Sequence, residues 1–71
     1  MPTEITNLAD ALVAEQARCR EILEHAIEIG PAGSYLAAIL RQSLARAERA
    51  AADGDVVLML QSVEDLRGYQ E

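Results

Sequence analysis

The chain has no phenylalanine, tryptophan or lysine, and only one cysteine and one histidine. Each absence excludes something. Without Phe or Trp the interior must be built from Leu, Ile, Val and closely spaced alanine, of which there are 13 in 71 residues. A lone Cys19 makes no internal disulfide and agrees with a reducing compartment. With a single histidine beside it, no His/Cys cluster is available for a structural metal or any other cofactor. A lone domain of this length buries only about 60% of its unfolded surface and is marginal without a staple. Disulfide and metal being excluded, self-association is the staple that remains, and the expectation is a homo-oligomer. No apolar run approaches the roughly 20 residues that span a bilayer. Met1, Pro2, Thr3 and Glu4 form neither a basic region nor an apolar signal, so a cytoplasmic protein with no membrane partner is expected.

Charge is what the chain has in surplus. Twelve acidic residues stand against six arginines, for a net charge of −6. Duplex DNA affinity comes chiefly from basic side chains neutralising phosphates, so direct duplex binding is disfavoured. The charge is also uneven. Residues 1–30 hold six acids and two arginines, residues 31–52 one acid and three arginines, and residues 53–71 five acids and one arginine. A basic middle segment therefore lies between two acidic ones.

Two glycine-bearing breaks mark the same three segments. Gly30 and Pro31 stop the first helix and open the second, because glycine is favoured just past a helix and proline in its first turn. Gly54 stops the second, and Asp55 has the chemistry of an N-cap for the third. The first segment, 4–29, places Ile5, Leu8, Leu12, Cys19, Ile22, Ala26 and Ile29 at three- and four-residue steps, with Glu15 interrupting the seam and Thr3 as its cap. At 1.5 Å per residue it would be about 39 Å long. Such a helix overhangs any partner its own chain supplies, so Leu12, Glu15 and Cys19 are expected at an oligomer interface. Segment 31–52 turns Leu36, Ile39, Leu40, Leu44 and Ala47 inward. The run Val56-Val57-Leu58-Met59-Leu60 opens the third helix and projects all round it, which adds Val57 and Leu58 to the expected interface. The fold class is all-α: a single domain over 1–71, a three-helix up-down-up bundle, homo-oligomeric and built on helices one and three.

No catalytic constellation is legible. His25 sits among Glu21, Glu24 and Glu28 on one helix, without the further ligands or nucleophile that a metal or general-base role needs. Cys19 lies on the apolar seam, where a thiol behaves as a small hydrophobe, and Arg18 and Arg20 as adjacent residues point elsewhere. Asp53-Gly54-Asp55 is a turn rather than a calcium loop, since the residues after it supply no oxygens. The most unusual stretch is Gly30-Pro31-Ala32-Gly33-Ser34-Tyr35. It is either a tight helix connection or a helix N-terminus bare enough to receive an anion. In the second reading Ser34 adds a hydroxyl, Tyr35 a ring for stacking, and Arg41 or Arg46 a cation; Gly33→Val is then expected to abolish binding without unfolding the protein.

Several stretches together resemble small helical proteins encoded by bacteriophages and prophages. They are Arg18-Cys19-Arg20-Glu21-Ile22-Leu23, Ile29-Gly30-Pro31-Ala32-Gly33, Ala37-Ala38-Ile39-Leu40, and Ala52-Asp53-Gly54-Asp55 continuing into Val56-Val57-Leu58-Met59-Leu60. The likeness covers most of residues 10–66. It implies a setting, the bacterial host cytoplasm, in which such accessory proteins counter host defences. Two functions follow as expectations. The first is non-catalytic occlusion of a host protein. The second is an oligomeric sponge that holds a small anionic nucleotide at Gly30, Pro31, Gly33, Ser34 and Tyr35 with help from Arg41 or Arg46.

Overall fold

The computed structural model describes residues 8–70. Thr3, Glu4 and Ile5, expected in the first turn of the first helix, lie outside that range. The described residues are helical throughout, apart from short turns. Helix α1 is Leu8–Ile29, a 3-10 turn is Gly30–Gly33, α2 is Ser34–Asp53 and α3 is Val56–Arg67. The 3-10 turn joins α1 to α2 with no extended residue between them, so the two also read as one sharply bent helix. At 22 residues the described α1 is about 33 Å long.

The breaks form where the sequence places them. Gly30 has φ +87°, the left-handed region that ends α1 at little cost only for glycine. Pro31, expected to open α2, sits instead inside the 3-10 turn, and α2 starts three residues later at Ser34. Gly33 is what allows the sharp bend. It is buried, and a Cβ there would land on the Ala26 carbonyl. Gly54, at φ +66°, donates its N–H to the Ala50 and Ala51 carbonyls and closes α2. Asp55 then accepts from the Leu58 N–H at 3.1 Å, as an N-cap should.

Each helix packs on the other two. Arg20 of α1 meets Glu48 of α2, and Arg46 of α2 meets Asp65 of α3. Leu12, Cys19, Ile22, Leu40, Leu44, Ala47, Ala50, Met59, Val63 and Leu66 make one core. Its largest members are leucines, and alanines at 26, 37, 47 and 50 bring the backbones close.

The core revises the expected interface. Leu12 and Cys19, at 1% and 0% exposure, are enclosed by the chain's own helices and have no surface to offer a second copy. The seam does not overhang along its length: Cys19 reaches the Leu66 carbonyl of α3 and Leu12 lies in the same core, while Ile29 at its far end is 63% exposed. Glu15 does not interrupt that seam as the inward position. Gln16, at 7% exposure, holds it, and half-buried Glu15 lies at its edge. Leu58 is half-buried and packs on the core, while Val57 remains 65% exposed.

Candidate functional site

Two concave surfaces and one polar cluster distinguish the molecule. The first concavity, about 260 Å³, lies at the bend. Ala26 and Ile27 of α1, Gly30 and Pro31 of the turn, and Ser34, Ala37 and Arg41 of α2 line it. Four residues singled out in the sequence, Gly30, Pro31, Ser34 and Arg41, therefore meet in one depression. The other three do not line it. Gly33 is buried beneath the turn, and Tyr35 is 78% exposed. Arg46 lies further along α2 and reaches Asp65 of α3 at 3.5 Å.

The donors at the bend are partly used. The Ser34 hydroxyl donates to the Pro31 carbonyl at 2.9 Å, and the Ser34 backbone N–H donates to the same oxygen. An anion seated there would have to compete with that carbonyl for both. Arg41, by contrast, forms no ion pair or hydrogen bond with any described residue. The volume is below the roughly 300–1,000 Å³ usual for small-molecule sites, so one chain encloses only part of a nucleotide.

The second concavity is larger, about 540 Å³, and lies between α1 and α3. Leu8 and Ala11 form one wall, and Val56, Leu60 and Val63 the other. Glu64 and Arg67 border it toward the end of α3. Val56 and Leu60 are 58% and 53% exposed, which is a large apolar area to leave in water. The cause is visible in the sequence. Five consecutive apolar residues cannot all face one side of a helix, and Met59 and Leu58 take the inward positions.

The polar cluster, around Arg18, escaped sequence reasoning. Arg18 donates to the Tyr69 carbonyl through Nη1 and to the Leu66 carbonyl through Nη2, each at 2.7 Å. The Leu66 carbonyl, in the last turn of α3, also accepts from the Tyr69 N–H, and Tyr69 lies just beyond the helix, so Arg18 ties the end of α3 to α1. Glu15 fixes the guanidinium by accepting from Arg18 Nε at 3.0 Å, and its second oxygen lies 3.7 Å from Arg67 Nε. The Cys19 thiol donates to the Leu66 carbonyl at 3.4 Å. Burial pushes the Cys19 pKa up; the nearby Arg18 charge opposes that shift, and Glu15 and Asp65 add to it. Tyr69 closes the cluster with a 2.8 Å hydroxyl hydrogen bond to buried Ser43. Adjacent helical residues point apart, yet the flexible Arg18 side chain curls back and brings Nη2 to 4.0 Å from the Cys19 Sγ.

His25 is exposed on α1, and among the described residues no three His, Cys, Asp or Glu side chains converge as a metal site. No described helix is long and apolar enough to cross a membrane. No protein-family model matches the chain, and no curated protein or solved structure shows significant similarity to it.

Proposed function

We propose that the protein is a non-catalytic binding module of the phage accessory kind, which acts by docking on a bacterial host protein and occluding it in the host cytoplasm. The observation that carries this reading is the open apolar groove between α1 and α3. Val56 and Leu60 stand more than half exposed there and share one concave surface, whereas Val13, Ile27, Ile29, Tyr35 and Val57 are exposed outside it. Exposed apolar area of this kind is retained where a partner covers it. The net charge of −6 adds long-range steering toward a basic partner. Immobilised protein incubated with lysate of a bacterial host should retain a specific protein whose own activity falls on addition of the module. Retention of nothing above background would overturn the proposal.

The finer architecture belongs to the same proposal: a three-helix, up-down-up unit that self-associates. The surface available for that has changed. Leu12 and Cys19 contribute nothing to it, Glu15 is paired within its own chain, and Val57 is the expected interface residue still facing outward. Light scattering at micromolar concentration should give a mass above the 7.7 kDa of one chain. A monomer at that concentration would remove self-association from the proposal.

The nucleotide-sponge reading keeps one specific support, the convergence at the bend of Gly30, Pro31, Ser34 and Arg41, whose charge pairs with none of the described residues. It requires a second copy to complete the small depression. A thermal-shift screen with cyclic and linear nucleotides separates the two functions, because a ligand of the folded state raises the melting temperature with concentration. A flat response across the panel removes the sponge.

A further inference from the structure

We propose that the outer face of α2 docks on the outer face of α1 in a second copy of the chain. The inference rests on the self-association reading and names the surfaces that meet. Ala38, Arg41, Gln42, Ala45 and Arg49 are all exposed and fall within a sector of about 100° around α2 that holds no acidic residue. Asp10, Ala14, Ala17, Glu21, Glu24 and Glu28 are likewise exposed and fall within about 80° around α1, a sector that holds no basic residue.

The two faces match in charge, length and relief. Arg41 and Arg49 stand about 12 Å apart along α2, and Glu21 and Glu28 about 10 Å apart along α1. None of these four, nor Asp10 or Glu24, pairs its charge with any described residue of its own chain, so both sets of charge are left for something outside it. Alanine between the charges keeps both surfaces low, which lets two helices approach closely. A second copy brings each face its counterpart, because one chain carries both halves of the contact. Set about a twofold axis, two chains form that contact twice; without the axis, each chain docks on the next and the assembly runs on as a ring or filament. The net charge of −6 opposes association at long range, whereas the local match acts at contact, within the screening length of the solvent.

The test is charge reversal read by sedimentation equilibrium of the full chain. One variant carries Glu21→Lys and Glu28→Lys, a second Arg41→Glu and Arg49→Glu, and a third all four. All four positions are exposed, so circular dichroism should show unchanged helix content in each variant. Each double variant should self-associate at least tenfold more weakly than the wild type, and the fourfold variant, in which the two faces exchange signs, should recover to within about threefold of it. The first double variant separates local pairing from overall repulsion. It brings the net charge of −6 nearer zero, so repulsion alone would make it associate more strongly than the wild type, and that result overturns the proposal. Wild-type association should also weaken severalfold in about 0.5 M salt, where charges are screened. An oligomer indifferent to both double variants, or a fourfold variant as weak as either, removes this contact and leaves the self-association reading standing. A wild type that stays at the 7.7 kDa of one chain removes that reading and the contact with it.

Discussion

Arg18 does more for this fold than its exposed position in the sequence suggests. It donates to the Leu66 carbonyl in the last turn of α3 and to the Tyr69 carbonyl just beyond it, and is itself held by Glu15, in a setting partly removed from solvent. Charge-assisted hydrogen bonds of this kind contribute about 1.5–3 kcal/mol. Arg18→Ala should therefore lower unfolding free energy by about 2 kcal/mol in a urea titration, and Arg18→Lys should recover less than half, because one ammonium cannot reproduce the forked geometry. Cys19 is the second test at this scale. Its pKa is raised in the folded state by burial, so folding favours the protonated thiol. The sign follows: that stability is fully present below the pKa of the unfolded thiol and is lost as pH rises through the folded value. A stability profile in alkaline solution should decline more steeply for wild type than for Cys19→Ala. Ser62 behaves oppositely to both. Its hydroxyl is buried without a hydrogen-bond partner, so Ser62→Ala should leave the denaturation midpoint unchanged or raise it.

The elements depend on two glycines for different reasons. Gly54 needs a left-handed backbone with open space around it, so Gly54→Ala should cost about 1 kcal/mol and leave the fold intact. Gly33 has ordinary φ but no room. Any side chain there meets the Ala26 backbone, which is not a flexible neighbour, so Gly33→Val should force α1 and α2 apart and lower the melting temperature sharply. Gly33→Val is thus no clean probe of ligand binding; Arg41→Ala is, because Arg41 lines the same depression and pairs its charge with none of the described residues. The helix stops were legible because Gly30, Gly54 and Asp55 act through local backbone chemistry. Gln16 as an inward position was not, since a polar residue on the seam is indistinguishable in sequence from a solvated one beside it.

For the molecule as a whole, the acidic–basic–acidic order of the chain becomes a spatial division. Only one of the exposed pairs follows that division, Arg46 of α2 with Asp65 of α3; in the other, Arg20 of α1 meets Glu48 of α2 with the signs reversed. Such pairs contribute little to stability, which should accordingly change only slightly between low and high salt. The groove lies where the two acidic walls adjoin, and the binding-module proposal is concentrated there.

The sequence by itself determined the all-helical class, the two breaks, the turn chemistry at Gly54 and Asp55, and the excess of apolar side chains at the start of α3. These follow from periodicity and from backbone preferences that act over a few residues. Tertiary structure alone decided which apolar residues are enclosed. It turned Leu12 and Cys19 inward against α3, left Val56 and Leu60 beside an open groove, and brought Arg18 to the end of α3, 48 residues away at Leu66. Helical spacing gives the direction of a side chain about its own axis. Which neighbour covers that face depends on how the bend at Gly33 lets the helices close.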